Sequence, residues 1–137
     1  MRFTVGAHSA GHVRRIVRAY LVLWEMRELT DAVELAVTEL LANVVRHVPD
    51  RRCGVLVLRC PGGVRVEVSD GSPEKPCVRD AGADDEGGRG LALLGAVVDA
   101  WGVDPAPDGG KTVWFECRVG GASATGTTAA DAGADGT

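Results

Sequence analysis

The sequence predicts an α+β domain in two layers, with about three helices packed on one face of a mixed, mostly antiparallel sheet. Three observations predict it. Two apolar stripes recur at helical spacing in the first third of the chain: Val13, Ile16, Val17, Tyr20, Leu21 and Trp24, then Val33, Val37, Leu40, Leu41, Val44, Val45 and Val48. Two β-rich runs follow, Cys53 to Cys60 and Val64 to Asp70, split by the hairpin signal Pro61-Gly62-Gly63. A third helical stripe and a last strand-like run then complete the pattern. With 137 residues and 45% hydrophobic content, the chain has the size for a single core.

Taken in order, Phe3 to Val5 forms a short first strand and Ser9 to Arg27 an amphipathic helix, with Arg14, Arg15 and Arg18 on its solvated side. A second helix begins near Thr30 and Asp31, where Asp31 and Glu34 have capping-box spacing, and runs to Val48 before Pro49 stops it. The two β-rich runs pair antiparallel. From Gly71 to Gly88 prolines, glycines and the acidic run Asp84-Asp85-Glu86 show no apolar periodicity, which predicts a long mobile loop. Leu91, Leu94, Val97 and Val98 give a third helix that ends before Trp101. Trp101 to Val103 starts another strand, Pro105 to Gly110 turns, and Thr112 to Val119 is the final strand. The domain is therefore expected over residues 1–119. Residues 120–137 hold no apolar group larger than alanine and are expected to be a disordered tail.

Composition narrows the function classes. A net charge of -4 disfavours nucleic acid as the main ligand, because phosphate-backbone binding needs a basic surface. No stretch approaches the roughly 18 apolar residues of a membrane span, and the first residues lack the pattern of a secretory signal, so a cytoplasmic protein without membrane contact is expected. Cys53, Cys60, Cys77 and Cys117 show no CxxC spacing and read as ordinary buried or strand thiols in a reducing compartment.

Three constellations can carry chemistry. Ala32, Ala36, Glu39, Asn43 and His47 follow at intervals that keep them on one face of the second helix. Glu39 and Asn43, one turn apart, can converge on a water or a hydrated Mg²⁺ ion, although the same residues also suit an exposed polar flank. Asp70 falls in phase with Val64, Val66 and Val68, so it points to the apolar side. A carboxylate there needs a donor, for which an adenine amino group is suited; the competing reading is an Asp that starts the turn Asp70-Gly71-Ser72-Pro73. Gly87-Gly88-Arg89-Gly90 leads into the third helix, so flexible backbone and helix N-terminal amides are placed to meet phosphate, with Arg89 as a charged fork. A plain loop-to-helix junction has the same composition.

The order of these signals resembles a known family, the Bergerat-fold (GHKL) ATP-binding domains shared by gyrase, MutL and sensor histidine kinases. Within it the chain resembles the small anti-sigma-factor serine kinases of the RsbW and SpoIIAB type. ELLANVVRHV from Glu39 corresponds to the asparagine box, VEVSDGSPEKP from Val66 to the first glycine box, GRGLALL from Gly88 to the second, and GGKTVWFE from Gly109 to the last strand. The resemblance implies ATP and Mg²⁺ as cofactors, Asn43 on the metal, and Asp70 on the adenine amino group with Gly71 and Thr112 beside it. His47 would complete the asparagine-box side of the site. Gly88, Arg89, Gly90 and Leu91 would lie against the phosphates, and Glu39 would be the general base. It further implies a protein serine/threonine kinase that phosphorylates an antagonist protein and sequesters a sigma factor, in a type that commonly forms a homodimer. The alternative is a non-catalytic ATP-binding regulatory protein acting by partner binding. Two departures stand out: Ser72 replaces a glycine common in the family, and Thr112 falls in phase with Trp114 and Glu116 rather than with Val113 and Phe115.

Overall fold

Residues 1–73 and 94–120 are described by the structure, a computed structural model of the chain. Most of the expected loop, the glycine-rich residues Gly88, Arg89, Gly90 and Leu91, the start of the third helix, Cys77 and the tail beyond Gly120 lie outside the described residues.

Strand β1 covers Arg2–Thr4, and helix α1 covers Ser9–Leu23, burying Val13, Val17 and Leu21 at four-residue intervals. The helix ends four residues earlier than the expected Arg27. At its end Met26 N–H donates to Leu21 O and Glu25 N–H to Val22 O, the two bonds of a Schellman ending, with Glu25 in the left-handed region at φ 60°. The reversal drops Met26 into the core, and its burial offsets the conformational cost at Glu25.

A short 3-10 turn, Arg27–Leu29, runs straight into helix α2, Thr30–His47. The expected capping box is absent: the cap position is Leu29, without a side-chain bond. Glu34 turns instead to Arg18 of α1, whose Nε donates to it at 2.7 Å. Arg14 likewise reaches Thr38 Oγ1 at 3.1 Å. Two of the three arginines read as a solvated face therefore tie the helices together.

The remaining strands are β2, Arg52–Cys60; β3, Gly63–Asp70; β4, Ala100–Pro105; and β5, Lys111–Arg118. Their order is β1-β2-β3-β5-β4, and every pairing among the described residues is antiparallel, so no mixed pairing is present there. The Pro61-Gly62 turn, with Gly62 at φ 70°, sets the β2–β3 register from Cys60 opposite Gly63. Residues 94–97 are helical and Leu94 is fully buried, consistent with the expected third helix.

The sheet presents Cys53 and Val55, Val64, Val66 and Val68, and Val113, Phe115 and Cys117 to the helices. Against them pack Val33, Ala36, Val37, Leu40, Leu41 and Val44 of α2. This period-two burial on the strands and 3.6-residue burial on α2 make the helix layer sit on one side only. The opposite sheet face carries charged and polar side chains along β3 and β5 and the exposed Leu56 and Leu58 on β2. There Arg65 pairs with Glu67 and Glu116 at 2.8 and 2.9 Å, and its guanidinium lies 4.2 Å from the centre of the Trp114 ring.

Candidate functional site

The last turns of α2 lie over the ends of β3 and β5, and polar groups meet there inside an otherwise apolar layer. A small cavity of about 10 Å³ is lined by Leu40, Asn43, Val44, His47, Val68, Asp70, Lys111 and Val113. That is room for about one water. A wider groove, about 520 Å³, lies by the N-terminal strand between Phe3, His8, Ser9 and Ile16 and contains none of the motif residues.

Asp70 ends β3 in phase with the buried valines, so its carboxylate faces the helices and its side chain is only 3% exposed. The residue both points inward and starts the turn that follows the strand. Ser72 N–H donates to Asp70 Oδ1 at 2.8 Å and forms the turn after the strand. The inward carboxylate also has a charged partner that the sequence reading did not assign. Lys111 Nζ donates to the same Oδ1 at 2.9 Å and to Ser72 O at 3.3 Å. Register makes this pair, since Asp70 sits directly opposite Lys111 across the β3–β5 ladder. Gly110 permits it, because a Cβ there would strike the Asp70 carbonyl. Such a pair is held by mutual compensation: removing either partner typically costs about 3–5 kcal/mol.

Thr112 is placed otherwise than the resemblance implies. It lies on the opposite sheet face, where its Oγ1 and Ser69 Oγ share a hydrogen bond of 2.8 Å. Alternation along β5 is the reason: Lys111, Val113, Phe115 and Cys117 are buried toward the helices and Thr112 points away. Lys111 holds the inward position beside Asp70.

Asn43 is buried, and its Nδ2 is the one buried side-chain polar atom without a hydrogen-bond partner among the described residues. His47, one turn on, lines the same cavity. Glu39, one turn before, is half-buried and does not line it. Gly71 is exposed just beyond Asp70. The structure thus brings Asn43, His47 and Asp70 together with Lys111, sets Glu39 on the same helix, and excludes Thr112.

A family model described as histidine kinase-like ATPase domain matches residues 4–117. The chain belongs to the histidine kinase-like ATPase domains. A search of curated proteins finds no match to this chain. The histidine kinase-like ATPase assignment agrees with the α+β sandwich and makes ATP, usually with Mg²⁺, the cofactor that the site must fit. On Asn43 it fits. A buried amide donor without a partner costs about 1–3 kcal/mol, and a ligand with oxygen acceptors relieves it; rotating the amide presents its oxygen to a cation instead. On Asp70 the chemistry fits as well, since both bonds it accepts end on Oδ1 and Oδ2 remains for an incoming donor. Among the described residues no cluster of three metal-binding side chains occurs, and Asn43 is the residue that would meet Mg²⁺. No helix among the described residues is long and apolar enough to cross a membrane.

Proposed function

We propose that this chain is a protein serine/threonine kinase of the anti-sigma type, which binds Mg-ATP, phosphorylates a serine on a small antagonist protein and sequesters a sigma factor in the cytoplasm. The observation that carries it is the buried Asn43 Nδ2, without a hydrogen-bond partner among the described residues, beside Asp70, with Glu39 one helical turn away. Bound Mg-ATP would supply the phosphoryl group. Asn43 would hold the metal through its amide oxygen, and Asp70 would accept the exocyclic amino group of the base. His47 would close the helix side of the pocket. Gly88, Arg89, Gly90 and Leu91 are assigned to the phosphates by the order of the motifs alone. Glu39 would take the proton from the serine hydroxyl as it attacks, because a neutral hydroxyl is a poor nucleophile. The free thiols of Cys53, Cys60 and Cys117 suit a reducing compartment.

Equilibrium binding of Mg-ATP to the protein and to its Asn43→Ala and Asp70→Asn variants tests the site. Binding lost in both supports it, and no binding of the unaltered protein at millimolar ATP rejects it. Glu39→Ala then separates catalysis from binding: phosphorylation of an antagonist should vanish while nucleotide is still bound. The tight Asp70–Lys111 contact favours a second reading, a non-catalytic regulator acting by partner contact, for which Glu39→Ala changes nothing.

A further inference from the structure

Lys111 is a buried charged side chain with no part in the proposed chemistry. Its residue is 4% exposed, and its ammonium spans the Asp70 carboxylate and the Ser72 carbonyl. Asp70 Oδ2 keeps the capacity to accept a donor, so what the site lacks for a base is space. The cavity of about 10 Å³ holds a water and not a purine, for which pockets of at least about 300 Å³ are usual. Most of its other walls are fixed: Leu40, Val44, Val68 and Val113 are core side chains on α2, β3 and β5. Lys111 is the long unbranched one, with a strongly hydrated head that gains solvation when it leaves.

We propose that Lys111 is an internal competitor for the nucleotide base: its side chain, held on Asp70 Oδ1, fills the space beside the carboxylate that the base needs, and adenine nucleotide enters by expelling it. The proposal rests on the reading of Asp70 as the base-recognising carboxylate. Expulsion exchanges a charge-assisted bond for a neutral one, so the lysine lowers the affinity for any base that offers only a neutral amino group. Charge-assisted bonds are about twice as strong as neutral ones, and a difference of that order corresponds to about tenfold in affinity. Lys111 therefore sets how much nucleotide the site needs before it fills.

Two measurements test this. In the first, the amines of the unaltered protein are reductively methylated with and without Mg-ATP and the peptides analysed by mass spectrometry; Lys75 is the only other lysine in the chain, so the signals separate. Lys111 should resist labelling alone and become several-fold more reactive with Mg-ATP. In the second, Lys111→Thr, which suits a strand and is short, should bind Mg-ATP at least about tenfold more tightly than the unaltered protein, with circular dichroism confirming the fold. Binding of ATP with Lys111 labelling unchanged or reduced, or weaker binding by Lys111→Thr, would make the lysine a ligand contact and overturn the competition while leaving the nucleotide site in place. Absence of binding by both proteins overturns the nucleotide reading and this proposal together. If the variant does not fold, the labelling of the unaltered protein decides.

Discussion

Lys111→Met keeps the length and most of the volume of the side chain and removes its charge. Among the described residues Asp70 is then left with the Ser72 N–H as its donor, in a place where its side chain is 3% exposed. Breaking a buried pair from one side typically costs about 3–5 kcal/mol, and a loss in that range is expected. Lys111→Thr should lose less, about 1–2 kcal/mol, because the shorter side chain admits water to the carboxylate. The double variant Lys111→Met with Asp70→Leu should recover most of the loss, since neither partner is left alone. Urea unfolding at pH 7, followed by the fluorescence of Trp24, Trp101 and Trp114, measures all of these. A cost below about 1 kcal/mol for Lys111→Met, the range of exposed pairs, would refute the buried-pair argument.

Three further outcomes are expected. Asn43→Leu should be neutral to stabilising by about 1 kcal/mol in the same unfolding assay, because it removes a buried donor that has no partner, and should abolish Mg-ATP binding. Gly110→Ala should cost about 2 kcal/mol or more, since the new Cβ strikes the Asp70 carbonyl, and should weaken nucleotide binding by shifting that residue. Burial, and secondarily the nearby carboxylates of Asp70 and Asp99, push the thiols of Cys53 and Cys117 up to about 11 and about 12. Iodoacetamide at pH 8 should therefore spare both until the protein is unfolded. Because the folded state keeps these protons and the unfolded state loses them above pH 9, stability should fall with rising pH by up to about 1.4 kcal/mol per pH unit for each thiol.

The layers and strand pairings were legible because they follow periodicity. Valines alternating along β3 and the leucines and valines of α2 fix which sides meet, whatever the loops do. Asp70 was legible for the same reason. The end of α1 was not, because Glu25 takes a left-handed conformation that favours glycine, and the reversal is driven by burial of Met26 in tertiary contact. The Asp31–Glu34 cap failed because Glu34 had a nearer cationic partner in Arg18, on another helix. Lys111 was missed by one residue. Starting the last strand at Thr112 leaves the lysine between turn and strand; starting it at Lys111 puts it in phase with Val113 and Phe115, on the helix side and opposite Asp70.

The polar groups between α2 and the sheet raise a question that stability does not answer. Asp70 and Lys111 compensate each other, yet well-packed apolar residues of similar volume do as well or better in such positions. Asn43 Nδ2 is not compensated at all. An otherwise apolar layer thus carries Asn43, His47, Asp70 and Lys111 at one end, and that end is where the asparagine-box helix crosses the strand ending in Asp70. Departures from local consistency that a fold does not need are expected where function requires them. Burial and hydrogen bonding alone thus single out Asn43 and Asp70, which the order of the sequence motifs also singles out. Lys111 is the residue that the motif order passes over and the packing makes central.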